Sequence, residues 1–191
     1  LPWADELLAE AGLARTQLDA IAVGRGPGAF TGVRLAVALA QGMALALDRP
    51  VLPVSTLAAL AWPARRAEGS VLAAIDARMG EVYAGWFRSE GEGLHAIGPE
   101  WMAAPKDVDV DERSLVGVGT GFAAADGALA ESLLSKLVAC DPTALPHASD
   151  LARLAAIDFA AGRAIAPDAL EPAYLRDKVA LTLAEQGRGR T

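Results

Sequence analysis

A glycine-rich loop at residues 24–32, which reads G-R-G-P-G-A-F-T-G, constrains the fold of this chain most strongly. It follows a short apolar run at residues 20–23 and precedes a long apolar run at residues 33–47. Glycine and proline let the backbone turn sharply between two regular elements. The pattern therefore predicts a buried strand, a tight loop and a long helix, which together form a unit of an α/β fold.

The same alternation continues beyond this unit. Pro50 ends the long helix, and residues 51–54 predict a second strand. Ser55 or Thr56 caps a helix that reaches about residue 67, with Pro63 expected to bend or shorten it. The charged segment 105–113 is expected at the surface. Alternating strands and helices predict an α/β protein with parallel strands. Further strands are predicted at residues 71–75, 81–87 and 115–118.

Charge and composition argue against direct, strong binding of nucleic acid. The formal net charge is −7, and the sequence shows no basic stripe of the kind that nucleic-acid binders carry. Aromatic residues make up 5% of the chain and offer little surface for stacking bases. We therefore expect a partner to hold any RNA. The single cysteine, Cys140, excludes an internal disulfide and fits a reducing cytoplasm.

The glycine loop resembles two phosphate-binding motifs without matching either. Gly24, Gly26 and Ala29 fit the dinucleotide spacing G-x-G-x-x-A, but Pro27 removes one amide and no acidic residue follows the next strand near Val54. No Lys-Ser or Lys-Thr pair follows the glycines, so the loop is not a Walker A motif. We interpret it as a tight turn that positions the next helix. Anion binding by free amides at the helix start remains the alternative.

Small residues follow two rows along the predicted helix at residues 33–47, and such rows allow a second helix to approach closely. The helix is apolar almost all round and therefore needs cover on two sides. It contains Gln41 and is too short to span a bilayer comfortably. We expect its own sheet on one side and, on the other, a partner that also contacts a helix at residues 1–11. The first row is Gly32, Ala36, Ala40 and Ala44, and the second is Ala38, Gly42 and Ala46.

Candidate catalytic residues are few. His95 and His147 lie far apart in the sequence, and no metal-binding histidine or cysteine pair occurs. Ser55 has no evident base. Asp76 and Glu81 form the best carboxylate pair, although a strand-end aspartate more often closes a turn than holds a metal.

Four motifs carry a resemblance to a known family. Residues 24–34 read G-R-G-P-G-A-F-T-G-V-R, residues 54–57 read V-S-T-L, residues 75–83 read I-D-A-R-M-G-E-V-Y, and residues 171–176 read E-P-A-Y-L-R. In this order they resemble the TsaB (YeaZ) family, in which a serine usually stands where this chain has Ala29. The motifs are distributed from residue 24 to residue 176, so the resemblance extends over nearly the whole chain.

The resemblance implies an α/β fold of the actin-like, ribonuclease-H-like (sugar kinase-like) class with two domains. The first domain would span residues 1–65 and lack its opening strands, since the family's I-D-T motif is missing. The second would span residues 66–172, and a tail at residues 173–191 would return to the first. The family lacks the paired histidines that bind metal in its catalytic paralogue TsaD.

The resemblance also implies a non-catalytic, cytoplasmic subunit that binds and activates TsaD and, with TsaE, supports formation of N6-threonylcarbamoyladenosine in tRNAs that read ANN codons. The same helical face can give a homodimer. No tightly bound cofactor is expected, and ATP or ADP would bind only within the complex. An M22-like peptidase or an ATP-binding actin-like enzyme is the alternative.

The apolar stripe and the resemblance together predict two groups of site residues, with no catalytic and no metal-binding residue among them. The predicted partner-binding residues are Leu1, Trp3, Ala4, Leu7, Leu8, Thr31, Arg34, Leu35, Ala36, Ala38, Leu39, Ala40, Gly42 and Met43. The predicted structural loop or anion site is Gly24, Gly26, Pro27, Gly28, Phe30, Gly32, Asp76 and Arg78.

Overall fold

A computed structural model describes residues 2–66, 68–91 and 93–176 of the 191-residue chain. Leu1, one of the predicted partner-binding residues, lies outside the described residues. The predicted tail is described only as far as residue 176.

The first half of the chain forms a small parallel sheet. Strand β1 (Ile21–Gly24) pairs with β2 (Val51–Val54), and helix α2 (Phe30–Leu47) connects them. Helix α1 (Pro2–Glu10) precedes this unit. The predicted strand–loop–helix order is confirmed, but α2 begins three residues before the predicted start at residue 33.

Both faces of this small sheet are covered by helices. Val37, Ala40 and Ala44 of α2 are buried with Val51 on one face. Helix α5 (Ala148–Ala160), from the second half of the chain, places Leu151 on the other face. Helix α5 therefore packs on strands of the predicted first domain, and the domain boundary at residue 65 stays a prediction.

Helix α3 (Thr56–Ala61) links the two halves. Ser55 caps it, as predicted, because the Ser55 hydroxyl accepts a hydrogen bond from the Ala58 amide at 3.1 Å. The helix ends at Ala61 instead of near residue 67, because Pro63 belongs to a 3-10 turn at Trp62–Ala64.

The second half forms a larger, mixed sheet. Its described strands are β3 (Glu68–Arg78), β4 (Glu81–Glu90), β5 (Gly93–Ala96), β6 (Trp101–Ala103), β7 (Leu115–Val118) and β8 (Leu137–Asp141). Their order is β5–β4–β3–β7–β8, with β6 also paired to β4. Strands β3, β7 and β8 are parallel, so their carboxyl ends meet at one edge of the sheet, where Asp76, Thr120 and Asp141 lie.

Two apolar cores enclose this sheet. Leu57 and Leu60 of α3 pack with Val71 and Phe87 on one face. The other face is covered by helix α4 (Ala128–Ser132), by a 3-10 turn at Thr120–Phe122 and by the segment 105–113.

The expectation that segment 105–113 lies entirely at the surface is wrong. Val108 and Val110 are 3% and 2% exposed and belong to the core with Leu72. Apolar and acidic residues alternate in this segment, so the valines face inward while Asp109 and Asp111 face solvent.

Helix α2 is long and apolar enough to cross a membrane by length and composition alone, with a mean hydropathy of 1.5. A single helix of this kind is weak evidence for a membrane span, because a core helix of a soluble protein has the same properties. Here one side of the helix packs on the small sheet through Val37, Ala40 and Ala44.

Candidate functional site

The first candidate site is an exposed apolar face formed by α1 and α2, which we call the helical face. Trp3 and Leu7 of α1 are 82% and 65% exposed, and Leu35 and Leu39 of α2 are 58% and 40% exposed. None of the residues described in α1 is buried. Large apolar side chains exposed on two neighbouring helices are typical of a protein–protein contact.

The helical face uses only one of the two predicted rows of small residues. Ala38, Gly42 and Ala46 are exposed, and a Cβ added to Gly42 would meet nothing within 4 Å. This row leaves room for another helix to approach closely.

The other row turns inward, which corrects one predicted partner-binding residue, Ala40, and leaves Ala36 half-buried. Ala40 is 2% exposed and packs with Val23 and Val51, and Ala36 packs partly against the same core. Residues four apart share one side of a helix, so Ala36, Ala40 and Ala44 meet their own sheet together. A large charged side chain at Ala40 would therefore disrupt the monomer, and it cannot test partner binding.

A groove of about 390 Å³ separates α1 from α2. Leu8 of α1 faces Leu39 and Met43 of α2 across it. Beside the groove, the Arg15 guanidinium donates to the Asp5 carboxylate at 2.6 Å. This hydrogen bond holds the pKa of the Asp5 carboxyl below its usual range. The contact ties α1 to the segment that leads into β1.

The glycine loop is held by backbone hydrogen bonds to the next strand and helix. The Arg25 amide donates to the Val54 carbonyl at 2.9 Å, and the Thr56 amide donates to the Gly26 carbonyl at 2.9 Å. Gly26 has a φ of +100° and joins Pro27 through a cis peptide bond, and both residues are buried. This φ is readily adopted only by glycine. The loop is thus a tight turn anchored to the end of β2 and the start of α3, and α2 begins directly after it.

The second candidate site is a cleft of about 730 Å³ between this loop and the carboxyl edge of the larger sheet. It brings together four of the eight predicted loop or anion-site residues, which are Gly28, Phe30, Asp76 and Arg78. The other four, Gly24, Gly26, Pro27 and Gly32, do not line it. Residues 172–176, which carry the fourth sequence motif, complete the lining.

The two carboxylates of the predicted pair, Asp76 and Glu81, each contact a different arginine. Asp76 accepts hydrogen bonds from the Arg78 amide at 2.8 Å and from the Arg78 guanidinium at 3.1 Å, so it closes a turn. Glu81 forms an ion pair of 2.8 Å with Arg176. Among residues 2–66, 68–91 and 93–176, no group of three or more His, Cys, Asp and Glu side chains could hold a metal ion.

Sequence reasoning missed Glu100, which reaches both the loop and α3. Its carboxylate accepts a hydrogen bond from the Ser55 hydroxyl and lies 3.5 Å from the Arg25 guanidinium. Ser55 thus has a carboxylate neighbour, contrary to the expectation from sequence. Glu100 follows a glycine and a proline and belongs to none of the four motifs, so no sequence signal marked it.

Arg34, a predicted partner-binding residue, already contacts its own chain. Its guanidinium carbon lies 3.4 Å from the centre of the Phe30 ring, and its Nε donates to the Tyr174 hydroxyl at 2.9 Å. Phe30 and Tyr174 are 57% and 55% exposed. This stack connects the helical face to the mouth of the cleft.

Comparison with known proteins gives consistent matches. The family model described as "TsaD: tRNA N6-adenosine threonylcarbamoyltransferase" matches residues 1–183. A protein of Escherichia coli (strain K12) named tRNA threonylcarbamoyladenosine biosynthesis protein TsaB is 40% identical over 94% of this chain and 80% of its own length. The Haemophilus influenzae protein of the same name is 38% identical over 94% of this chain and 79% of its own.

Solved structures agree with these relatives. A Pseudomonas aeruginosa crystal structure, described as an uncharacterized protein with similarity to peptidase YEAZ, superposes with a TM-score of 0.84 at 43% identity, covering 92% of this chain and 82% of that one. YeaZ from Pseudomonas aeruginosa gives a TM-score of 0.83 at 43% identity, covering 91% and 81%. These matches confirm the actin-like, ribonuclease-H-like α/β fold.

Proposed function

This chain belongs to the TsaB (YeaZ) family, and on that premise we propose that it is an accessory subunit in the formation of N6-threonylcarbamoyladenosine in tRNA. In this role it binds and activates the catalytic subunit TsaD, acts with TsaE on tRNAs that read ANN codons, and works in the cytoplasm. Its relatives are named as biosynthesis proteins of this modification.

The observation that carries the proposal is the exposure of the helical face. Trp3, Leu7, Leu35 and Leu39 are each 40% exposed or more, although all four are large apolar side chains. Their burial against a partner would be favourable at about 25 cal/mol per Å² of apolar surface. The exposed row of Ala38, Gly42 and Ala46 would let a partner helix pack closely against α2.

The overall charge favours an accessory role in tRNA modification, in which another subunit binds the tRNA. A net charge of −7 repels the phosphate backbone, so a partner with a basic surface would hold the tRNA. The protein would then contribute contact surface and stability to that partner.

Substitution of Gly42 by leucine tests this function with little risk to the monomer. A Cβ added at residue 42 meets nothing within 4 Å, the rest of a leucine side chain would lie in the open groove between α1 and α2, and leucine favours a helix by up to about 1 kcal/mol relative to glycine. We expect Gly42→Leu to raise the melting temperature slightly and to weaken binding to TsaD at least tenfold, measured by titration calorimetry.

A matched control is Ala152→Leu, which adds a similar side chain to the exposed side of α5. It should leave TsaD binding unchanged. If Gly42→Leu binds TsaD like the parent protein, the helical face is not the binding surface. Light scattering of the free protein reports whether the same face also forms a homodimer, which Gly42→Leu should then dissociate.

A second candidate function is nucleotide binding in the cleft, either alone or within the complex. The cleft lies at the carboxyl ends of parallel strands, where α/β proteins commonly bind ligands, and the start of α2 faces it through Gly28 and Phe30. Calorimetry with ATP and ADP, with and without TsaD, tests this function. An M22-like peptidase activity would instead require turnover of peptides that is lost in Asp76→Ala.

A further inference from the structure

We propose that residues 173–176 act as a clasp that holds the two halves of the molecule together across the cleft and sets its width. The inference goes beyond partner binding, because it concerns the free protein. It rests on three anchors within four consecutive residues, two of them to the first half of the molecule and one to the second half.

The first two anchors join the clasp to the first half. The Ala173 amide donates to the carbonyl of Arg25 in the glycine loop at 2.8 Å. The next residue, Tyr174, accepts a hydrogen bond through its hydroxyl from Arg34 of α2 at 2.9 Å, and its ring faces the same guanidinium. A backbone and a side-chain contact therefore fix neighbouring residues to the loop and to the helix.

The third anchor joins the clasp to the second half, only two residues later. Arg176 donates to the carbonyl of Ala77 at 3.0 Å and forms an ion pair of 2.8 Å with Glu81. Ala77 and Glu81 lie on either side of the turn between β3 and β4, so the Arg176 guanidinium contacts both ends of that turn. The side chain of Arg176 is 17% exposed, and solvent therefore screens the pair less than an ordinary surface salt bridge.

The segment that leads into the clasp is itself fixed to the first half. The Gln41 amide of α2 donates to the carbonyls of Pro167 and Leu170 at 3.0 and 3.2 Å, and Leu170 is buried in the core beneath α2. A movement of the β3–β4 turn away from the glycine loop would therefore have to break the Arg176 contacts. Residues 172–176 line the cleft, so the clasp fixes the distance across it.

Spin-label distances across the cleft test the clasp. One label is attached to the native Cys140 of β8, near the carboxyl edge of the larger sheet, and the other to Thr31→Cys at the start of α2, where residue 31 is exposed. We expect a single narrow distance distribution in this labelled protein. Arg176→Met, which keeps the apolar stem and removes both contacts, should shift or broaden the distribution by more than about 2 Å.

The control is Arg163→Met, which removes an ion pair of 2.6 Å with Asp158 on the outer surface and should leave the distance unchanged. Arg34→Met and Tyr174→Phe weaken the second anchor, the contact between Tyr174 and Arg34, and should also broaden the distance distribution. They decide the question if Arg176→Met does not fold, as judged by circular dichroism. A distribution identical to that of the parent in the folded variants would overturn the proposal.

Discussion

Substitutions of two tryptophans of this chain can distinguish a loss of partner affinity from a loss of monomer stability. Trp3 of α1 is 82% exposed, whereas Trp62 in the turn after α3 is 5% exposed. A tryptophan side chain carries about 150–250 Å² of surface. If a partner covers the exposed share of Trp3 completely, burial contributes roughly 3–5 kcal/mol at about 25 cal/mol per Å². This figure is an upper bound, because real interfaces also carry ordering and desolvation costs.

We therefore expect Trp3→Ala to weaken binding to TsaD by about 2–4 kcal/mol, the range of interface hot spots, which corresponds to about 30- to 1,000-fold in Kd. The free energy of unfolding of the monomer should change by less than about 0.5 kcal/mol, because Trp3 makes little contact with its own chain. Titration calorimetry gives the first quantity, and urea denaturation gives the second.

Trp62→Phe is the matched comparison, and the opposite result is expected from it. It should lower the free energy of unfolding by about 1–3 kcal/mol, because it leaves space in the core. The affinity of the folded protein for TsaD should stay unchanged. The reasoning fails if Trp3→Ala binds as tightly as the parent, or if it destabilises the monomer as much as Trp62→Phe does.

Two further predictions follow from local geometry. Gly119 has a φ of +105°, and a Cβ at this position would overlap the Ala74 carbonyl. Gly119→Ala should therefore lower the free energy of unfolding by about 2–5 kcal/mol, measured by urea denaturation. An unchanged denaturation midpoint would contradict this prediction. The Arg15 hydrogen bond lowers the pKa of Asp5 in the folded protein, so this contact stabilises α1 above about pH 4 and is lost as the pH falls further. Arg15→Gln should raise the Asp5 pKa towards its usual range in an NMR titration, and an unchanged pKa would show that another group sets it.

The sequence predicted the strand–loop–helix unit because the signals there are local. Glycine and proline in the loop, Pro50 after α2 and the Ser55 cap each act on neighbouring residues, and all of them appear in the structure. Pro63 does shorten α3, as predicted, but the end at Ala61 was not predicted, because proline is tolerated in the first turn of a helix and its position alone does not fix where the helix ends.

The orientation of α2 could not be predicted because both rows of small residues are equally apolar. Periodicity shows that a helix has an inner side, but only the sheet beneath it decides that Ala40 is buried and Ala38 exposed. In the segment 105–113 the alternating valines did carry a signal for Val108 and Val110, and the high charge of the segment obscured it.

The cleft was only partly predictable. The motifs around Gly28 and Asp76 were recognised separately, and the fold brings them together because the loop faces the carboxyl edge of the larger sheet. Glu100 and Tyr174 lie 75 and 140 residues from the arginines that they contact. Contacts over such separations depend on the tertiary fold, and a single sequence does not reveal them.

Hydrogen–deuterium exchange of α1 with and without TsaD tests the central claim most directly. The residues described in α1 are all at least partly exposed, so in the free protein its amides should exchange quickly. Partner binding at the helical face predicts that exchange slows in α1 and along the exposed side of α2. Unchanged exchange in both helices, with protection appearing elsewhere in the chain, would contradict the account.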